Sequence, residues 1–208
     1  MKFILLYNSD ETHSTEVFAI MNNTNMLRGL TDELKCPEYN SFPDIELYMD
    51  QVLDFLLRSR TSLRDDERLS SAMVNNYIKA DILPRARGKK YSREHLVHLV
   101  VILRLKQVLS VRDTGALIKS AKENKSDEAF YEGFRTMLDD CAAEIVEKAL
   151  AEKEDPADAA MRLAVESYLC KVACEHLLDQ IGTRDEDHHE HRRTEKSEKN
   201  DRIEKKEE

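Results

Sequence analysis

SSAMVNNYIKADILPRARGKKYSREHLVHLVVILRLKQVL, residues 70–109, decides how this chain reads. It begins with a helix whose two faces separate sharply. Met73, Val74, Tyr77 and Ile78 fall on one side, and Ala72, Asn75, Asn76 and Lys79 on the other, at i, i+3, i+4, i+7. Ser70 or Ser71 can cap this helix by accepting a bond from a free first-turn N–H, and Pro84 ends it. RARGKKY, around Gly88, is a short basic loop. Ser92 caps a strongly apolar helix, and Ser110 opens another with Asp113 at its third position, where a carboxylate favours the helix N-terminus.

This arrangement suits duplex DNA. A reading helix needs an apolar face against its own domain and a polar face for the groove. Asn pairs bidentately with adenine, and Lys or Arg contacts guanine or phosphate. Asn75, Asn76 and Lys79 have that chemistry at that spacing, and two adjacent Asn, poor helix formers, call for a reason. Arg85, Arg87, Lys89 and Lys90 are available to hold phosphates and set the register. Ser71 at the helix start and Arg93 just past the loop complete the candidate DNA-binding set. Tyr77 and Tyr91 are read as packing residues.

Charge points the same way. The chain carries −9 overall, but Arg68 to Lys106 holds nine Lys/Arg against Asp81 and Glu94, hence +7, leaving −16 for the rest. A basic island in an acidic chain is the electrostatic footprint of a nucleic-acid module. Aromatic platforms for stacking single-stranded bases are missing from it, which disfavours RNA.

Outward from this segment, residues 1–40 lack a sustained period and read as a poorly ordered lead-in; Met21 or Met26 is an alternative translation start. Asp44 is expected to cap an amphipathic helix to about Arg58, carried by Ile45, Tyr48, Met49, Val52, Leu53 and Leu56, with a charged loop from Ser59 to Arg68. After a polar loop near Asn124, Phe130, Phe134, Met137, Leu138, Cys141 and Ile145 mark a helix to about Lys153. Asp155 and Pro156 give the N-cap and first position of the next. That helix, 157–181, is apolar over a wide arc and expected to be buried on more than one side, with Gly182 ending it. The charged tail 183–208 has Ile203 as its only large aliphatic residue and is expected to be disordered.

Only 5 Gly and 4 Pro favour helices over a turn-rich sheet fold. The four Cys make no disulfide framework, which fits a reducing cytosol, and a cytoplasmic protein is expected. No apolar run approaches the ~20 residues of a membrane span. His95 and His98 lack a ligand constellation, and Cys170, Cys174 and His176 are read as buried packing, so no metal and no cofactor is expected. With no Gly-rich phosphate loop, no GxSxG and no HExxH, an enzyme is not expected.

Ser71 to Pro84, then KKYS at 89–92 and LSV at 109–111, resemble the MerR-type winged helix-turn-helix; Tyr77, Pro84, Tyr91 and Ser92 fall on matching positions. MVNNYIK at 73–79, KKYSRE at 89–94 and LKQVLS at 105–110 are closer still to a bacterial family known as a domain of unknown function, number eighteen thirty-six. Over roughly residues 40–180 that resemblance implies a transcriptional regulator with no assigned ligand or operator. Asn75 and Asn76 stand where MerR-type recognition helices usually carry Arg and Tyr, and the wing is shorter, so only the basic wing and Lys79 keep the implied phosphate role.

The expected organisation is all-α: a lead-in over 1–40, a MerR-like helix-turn-helix over 41–122, a helical hairpin over 126–182 for dimerisation or effector input, and a disordered tail over 183–208. The expected function is a regulator that binds double-stranded DNA as a homodimer, through helix 71–80 and the wing 85–90. A non-enzymatic protein–protein adaptor on the same fold is the alternative.

Overall fold

A computed structural model describes Gly29 and residues 35–58, 68–151 and 155–204, with side-chain detail through Lys148 and from Asp155 to Ile181. The expected loop from Ser59 to Arg68, Arg68 apart, and the part of the expected lead-in up to Leu34, Gly29 apart, lie outside the described residues.

Six α-helices make up most of what is described: α1 (Met49–Arg58), α2 (Ser71–Lys79), α3 (Arg93–Leu105), α4 (Val111–Ala121), α5 (Asp127–Ala151) and α6 (Pro156–Glu204). The protein is therefore mostly helical, with one departure from the all-α expectation. Leu47–Tyr48 (β1) and Lys90–Tyr91 (β2) form an antiparallel pair, with Leu47 opposite Tyr91 and Tyr48 opposite Lys90. The helix expected from Asp44 thus starts at Met49. Ile45 lies exposed, whereas Leu47 buries its side chain by pairing with the chain that follows the basic loop. Tertiary pairing overrides a local helical period that was real only from Met49 onward.

Most of the other helix boundaries follow from capping chemistry. Ser70 Oγ accepts from the Met73 N–H at 3.2 Å, and Ser110 Oγ accepts from the Asp113 N–H at 3.1 Å while donating to its carboxylate at 2.6 Å. Ser126 Oγ accepts from the Ala129 N–H at 3.1 Å, and Asp155 Oδ2 from the Ala157 N–H at 3.0 Å with Pro156 at the first helical position. At α3 the capping partner is a histidine: His95 Nδ1 accepts from the Ser92 backbone N–H at 3.1 Å and lies 2.8 Å from Ser92 Oγ.

α3 is the axis of the fold. From His95 to Leu103 every side chain is buried, because the run is apolar all round and α1, β2 and α5 pack on it. The core draws on residues outside the expected 41–122 module. Cys36 belongs to it, and so do Phe130 and Tyr131 from α5. Tyr131 meets Phe42 edge-on at 5.3 Å and donates its hydroxyl to the Pro37 carbonyl at 2.7 Å. The Tyr39 N–H donates to Glu132 Oε1 at 3.0 Å, which with Arg135 holds that carboxyl below its usual range. The expected lead-in, 1–40, lacks a sustained period, yet its last residues are pinned to α5.

Among the described residues α5 packs chiefly on α3, and α6 on α4. α6 buries Leu178 and half-buries Cys174 and Ile181, but Met161, Val165, Tyr168, Leu169 and Val172 stay 44–66% exposed. Expected burial on several sides is thus met on one. Its helical backbone also passes Gly182 and reaches Glu204, where a break and a disordered tail were expected. One helical Gly costs only ~1 kcal/mol relative to Ala, and the Glu- and Lys-rich residues beyond it are good helix formers.

Candidate nucleic-acid interface

α2 presents the two faces its sequence separates. Val74 and Tyr77 are buried and Met73 and Ile78 half-buried, while Ser71, Ala72, Asn75, Asn76 and Lys79 are exposed. Its end is fixed by Asp81 in the left-handed region (φ 59°), which lets the Ile82 and Leu83 N–H groups both donate to the Tyr77 carbonyl. Ile82 and Leu83 then enter the core. Tyr77 is covered from above by the Lys106 ammonium, 5.5 Å from the ring centre, and burial pushes its phenol up.

The basic loop is a tight hairpin turn. Gly88 and Lys89 are both left-handed (φ 58° and 65°), and the Lys90 N–H donates to the Arg87 carbonyl at 3.0 Å. Two consecutive left-handed residues define the turn type whose twist matches the strands it joins. Glycine adopts that conformation freely; Lys89 adopts it at a cost of roughly 1 kcal/mol. Arg85, Arg87 and Lys89 project into solvent.

The remaining candidate residues are partly committed to packing. The Lys90 ammonium lies 5.7 Å from the Tyr48 ring centre, and the Arg93 guanidinium 5.3 Å from that of Tyr39. Both are half-buried. Arg104 sits near Cys36 and offsets part of the rise that burial gives this thiol. Four cations of the basic island, Lys79, Arg85, Arg87 and Lys89, are therefore exposed and in no ion pair among the described residues. Together with Ser71, Asn75 and Asn76 they form the accessible part of the expected set.

A second polar cluster escaped the sequence reading. Lys122, just past α4, lies 2.5 Å from Asp127 and 3.4 Å from Glu94. These ion pairs outweigh burial and raise its pKa. Buried His98 has Nε2 3.2 Å from Asp127 Oδ1, but the contact is badly directed for a hydrogen bond, and Nδ1 is also unpartnered. Burial, and then the Lys122 charge, lower His98 below its ordinary value despite Asp127 and Glu94. The i, i+4 spacing of Glu94 and His98 is visible in the sequence; the approach of Lys122 and Asp127 is tertiary. Among the described residues no cluster of three or more His, Cys, Asp or Glu is arranged to hold a metal. Cys170, expected to be buried, is exposed and Cys174 is half-buried, because only one side of α6 meets α4. Among the described residues no helix is long and apolar enough to cross a membrane.

No curated protein and no solved structure matches the chain. A family model does, over residues 37–136, a span that opens at the Pro37 carbonyl held by Tyr131 and closes in α5 just past that tyrosine. The match supports placing residues 37–136, which hold α2, the basic turn and the buried helix α3, in the family described as Domain of unknown function (DUF1836).

Proposed function

We propose that this protein is a DNA-binding transcriptional regulator that lays α2 in the major groove of duplex DNA and grips the flanking phosphates with the turn at 85–89. The observation that carries the reading is the combination on a short helix and its neighbouring turn: a buried face of Val74 and Tyr77, an exposed face of Asn75, Asn76 and Lys79, and three further exposed cations at Arg85, Arg87 and Lys89. Asn side chains supply base-edge specificity; the cations supply sequence-independent grip. On this reading the tight turn, followed by β2, serves as a short wing beside α2. Lys90 and Arg93 lend only partial charge to this surface, since each covers a tyrosine ring.

Selection of fragmented genomic DNA on the purified protein tests the reading. A few enriched sites whose sequence preference changes in Asn75→Ala and Asn76→Ala are the expected result. Enrichment that ignores both substitutions would remove α2 as the reading element. The adaptor reading draws on a different observation, the exposed apolar side of α6. A folded sample that retains no DNA at low salt would favour it.

A further inference from the structure

α6 is apolar on two opposite faces. Cys174, Leu178 and Ile181 turn towards α4, at i, i+4 and i+7. At 100° per residue, Met161, Val165, Tyr168, Leu169 and Val172 fall within an arc of about 100° on the other side. All five are exposed. Four of them, 161, 165, 168 and 172, are spaced 4-3-4, the alternation of a two-stranded coiled-coil seam. That spacing reads the same from either end, so the stripe of an identical helix matches it layer by layer.

The charges beside the stripe point to the same occupant. Arg162 pairs with Glu166 at 3.8 Å and Lys171 with Glu175 at 3.7 Å, each within α6. Residues 161–175 are therefore neutral, while the chain as a whole carries −9. A partner of opposite charge has nothing to recognise there, whereas two copies of an acidic chain meet along this stripe without repulsion. Size also fits. Five such side chains offer on the order of 500 Å², and the stems of Arg162 and Lys171 along the edges extend this towards the roughly 800 Å² per partner of a stable interface.

We infer that α6 is a self-association helix, its Met161–Val172 stripe covered by the same stripe of a second copy of this chain. The inference does not depend on DNA binding, though a dimer would present two α2 helices to paired half-sites. Sedimentation of the full-length protein at micromolar concentration tests it. A dimer is expected, and the double variant Val165→Glu/Tyr168→Glu should weaken it at least ~100-fold, since each copy would bring two unpaired charges into the seam. Both positions are exposed in the isolated chain, so helicity should be retained, and melting should fall only by the stabilisation that association supplies. The uncharged pair Leu169→Ser/Val172→Ser should weaken the dimer independently, without adding charge. A full-length protein that sediments as a monomer overturns the inference, whether the stripe is bare, covered by the chain's own N-terminal residues or meant for another protein. A dimer that survives both variants also overturns it, since the contact would then lie elsewhere.

Discussion

α3 and α6 are both apolar over far more than one face, yet only α3 is enclosed. Around α3 the chain supplies β2, α1 and α5, and every residue from His95 to Leu103 is buried. Around α6 it supplies α4 on one side and leaves five large apolar residues in solvent on the other. The contrast teaches that apolar width predicts burial without saying which molecule does the burying. The family match, over residues 37–136, takes in the enclosed helix α3 and ends before α6 begins.

Substitutions on these two helices, and on α4 against which α6 packs, should break or sharpen that contrast. The largest effect belongs to α3. Leu99→Ala empties a fully buried site and should cost ~2–5 kcal/mol in chemical denaturation. Next comes Gly115 in α4, where an added Cβ would fall inside the radius of Ile82 Cγ2. Gly115→Ala should cost ~1–3 kcal/mol, and Ile82→Ala in the same chain should recover part of it, a non-additivity that a double-mutant cycle reads directly. Ser110→Ala removes the oxygen that caps α4 and should cost ~1 kcal/mol. The smallest effect belongs to the open side of α6. In the Val165→Glu/Tyr168→Glu background, Leu169→Ala should change stability by no more than ~0.5 kcal/mol. A loss as large as that at Leu99 would mean that the chain itself covers this face.

His98 adds a pH test of the enclosed unit, with direction rather than size predicted. Its folded-state pKa is lowered, so the unfolded chain binds more protons between the folded value and the ordinary one near ~6.5. The stability from keeping His98 neutral is present above that ordinary value and is lost as pH falls through the lowered one. His98→Leu should flatten the acid side of the melting-temperature profile. An unchanged slope would assign the acid loss to the carboxylates around Lys122 instead.

Much of this was legible in the sequence, and the failures share a cause. Ser70, Ser110 and Asp155 announced their helices because capping is local chemistry. The two faces of α2 were legible for the same reason, since spacing alone separates Val74 and Tyr77 from Asn75, Asn76 and Lys79. What stayed hidden depends on distant partners. Leu47 becomes a strand because Tyr91 comes alongside, and the Tyr39 N–H finds its acceptor on Glu132, far away in the chain. Lys90 and Arg93 looked like two more free cations, and only the arrival of Tyr48 and Tyr39 beneath them assigns them to packing. Charge reversal at Lys89 and Lys90, the natural choice from sequence, would therefore disturb β2. Arg87 and Lys89 are the cleaner pair, both being exposed and in no ion pair among the described residues.

The most direct test of the DNA-binding claim is the affinity of the full-length protein for duplex DNA as a function of salt, with Arg87→Glu/Lys89→Glu alongside. If Lys79, Arg85, Arg87 and Lys89 each meet a phosphate, log affinity should fall against log salt with a slope of roughly −3 to −4 per bound chain. The double variant should bind at least ~100-fold more weakly at low salt, with a slope near half that, and melt at the same temperature. Equal affinity and equal slope in the two proteins would contradict the account, because the basic turn would then hold no phosphate at all.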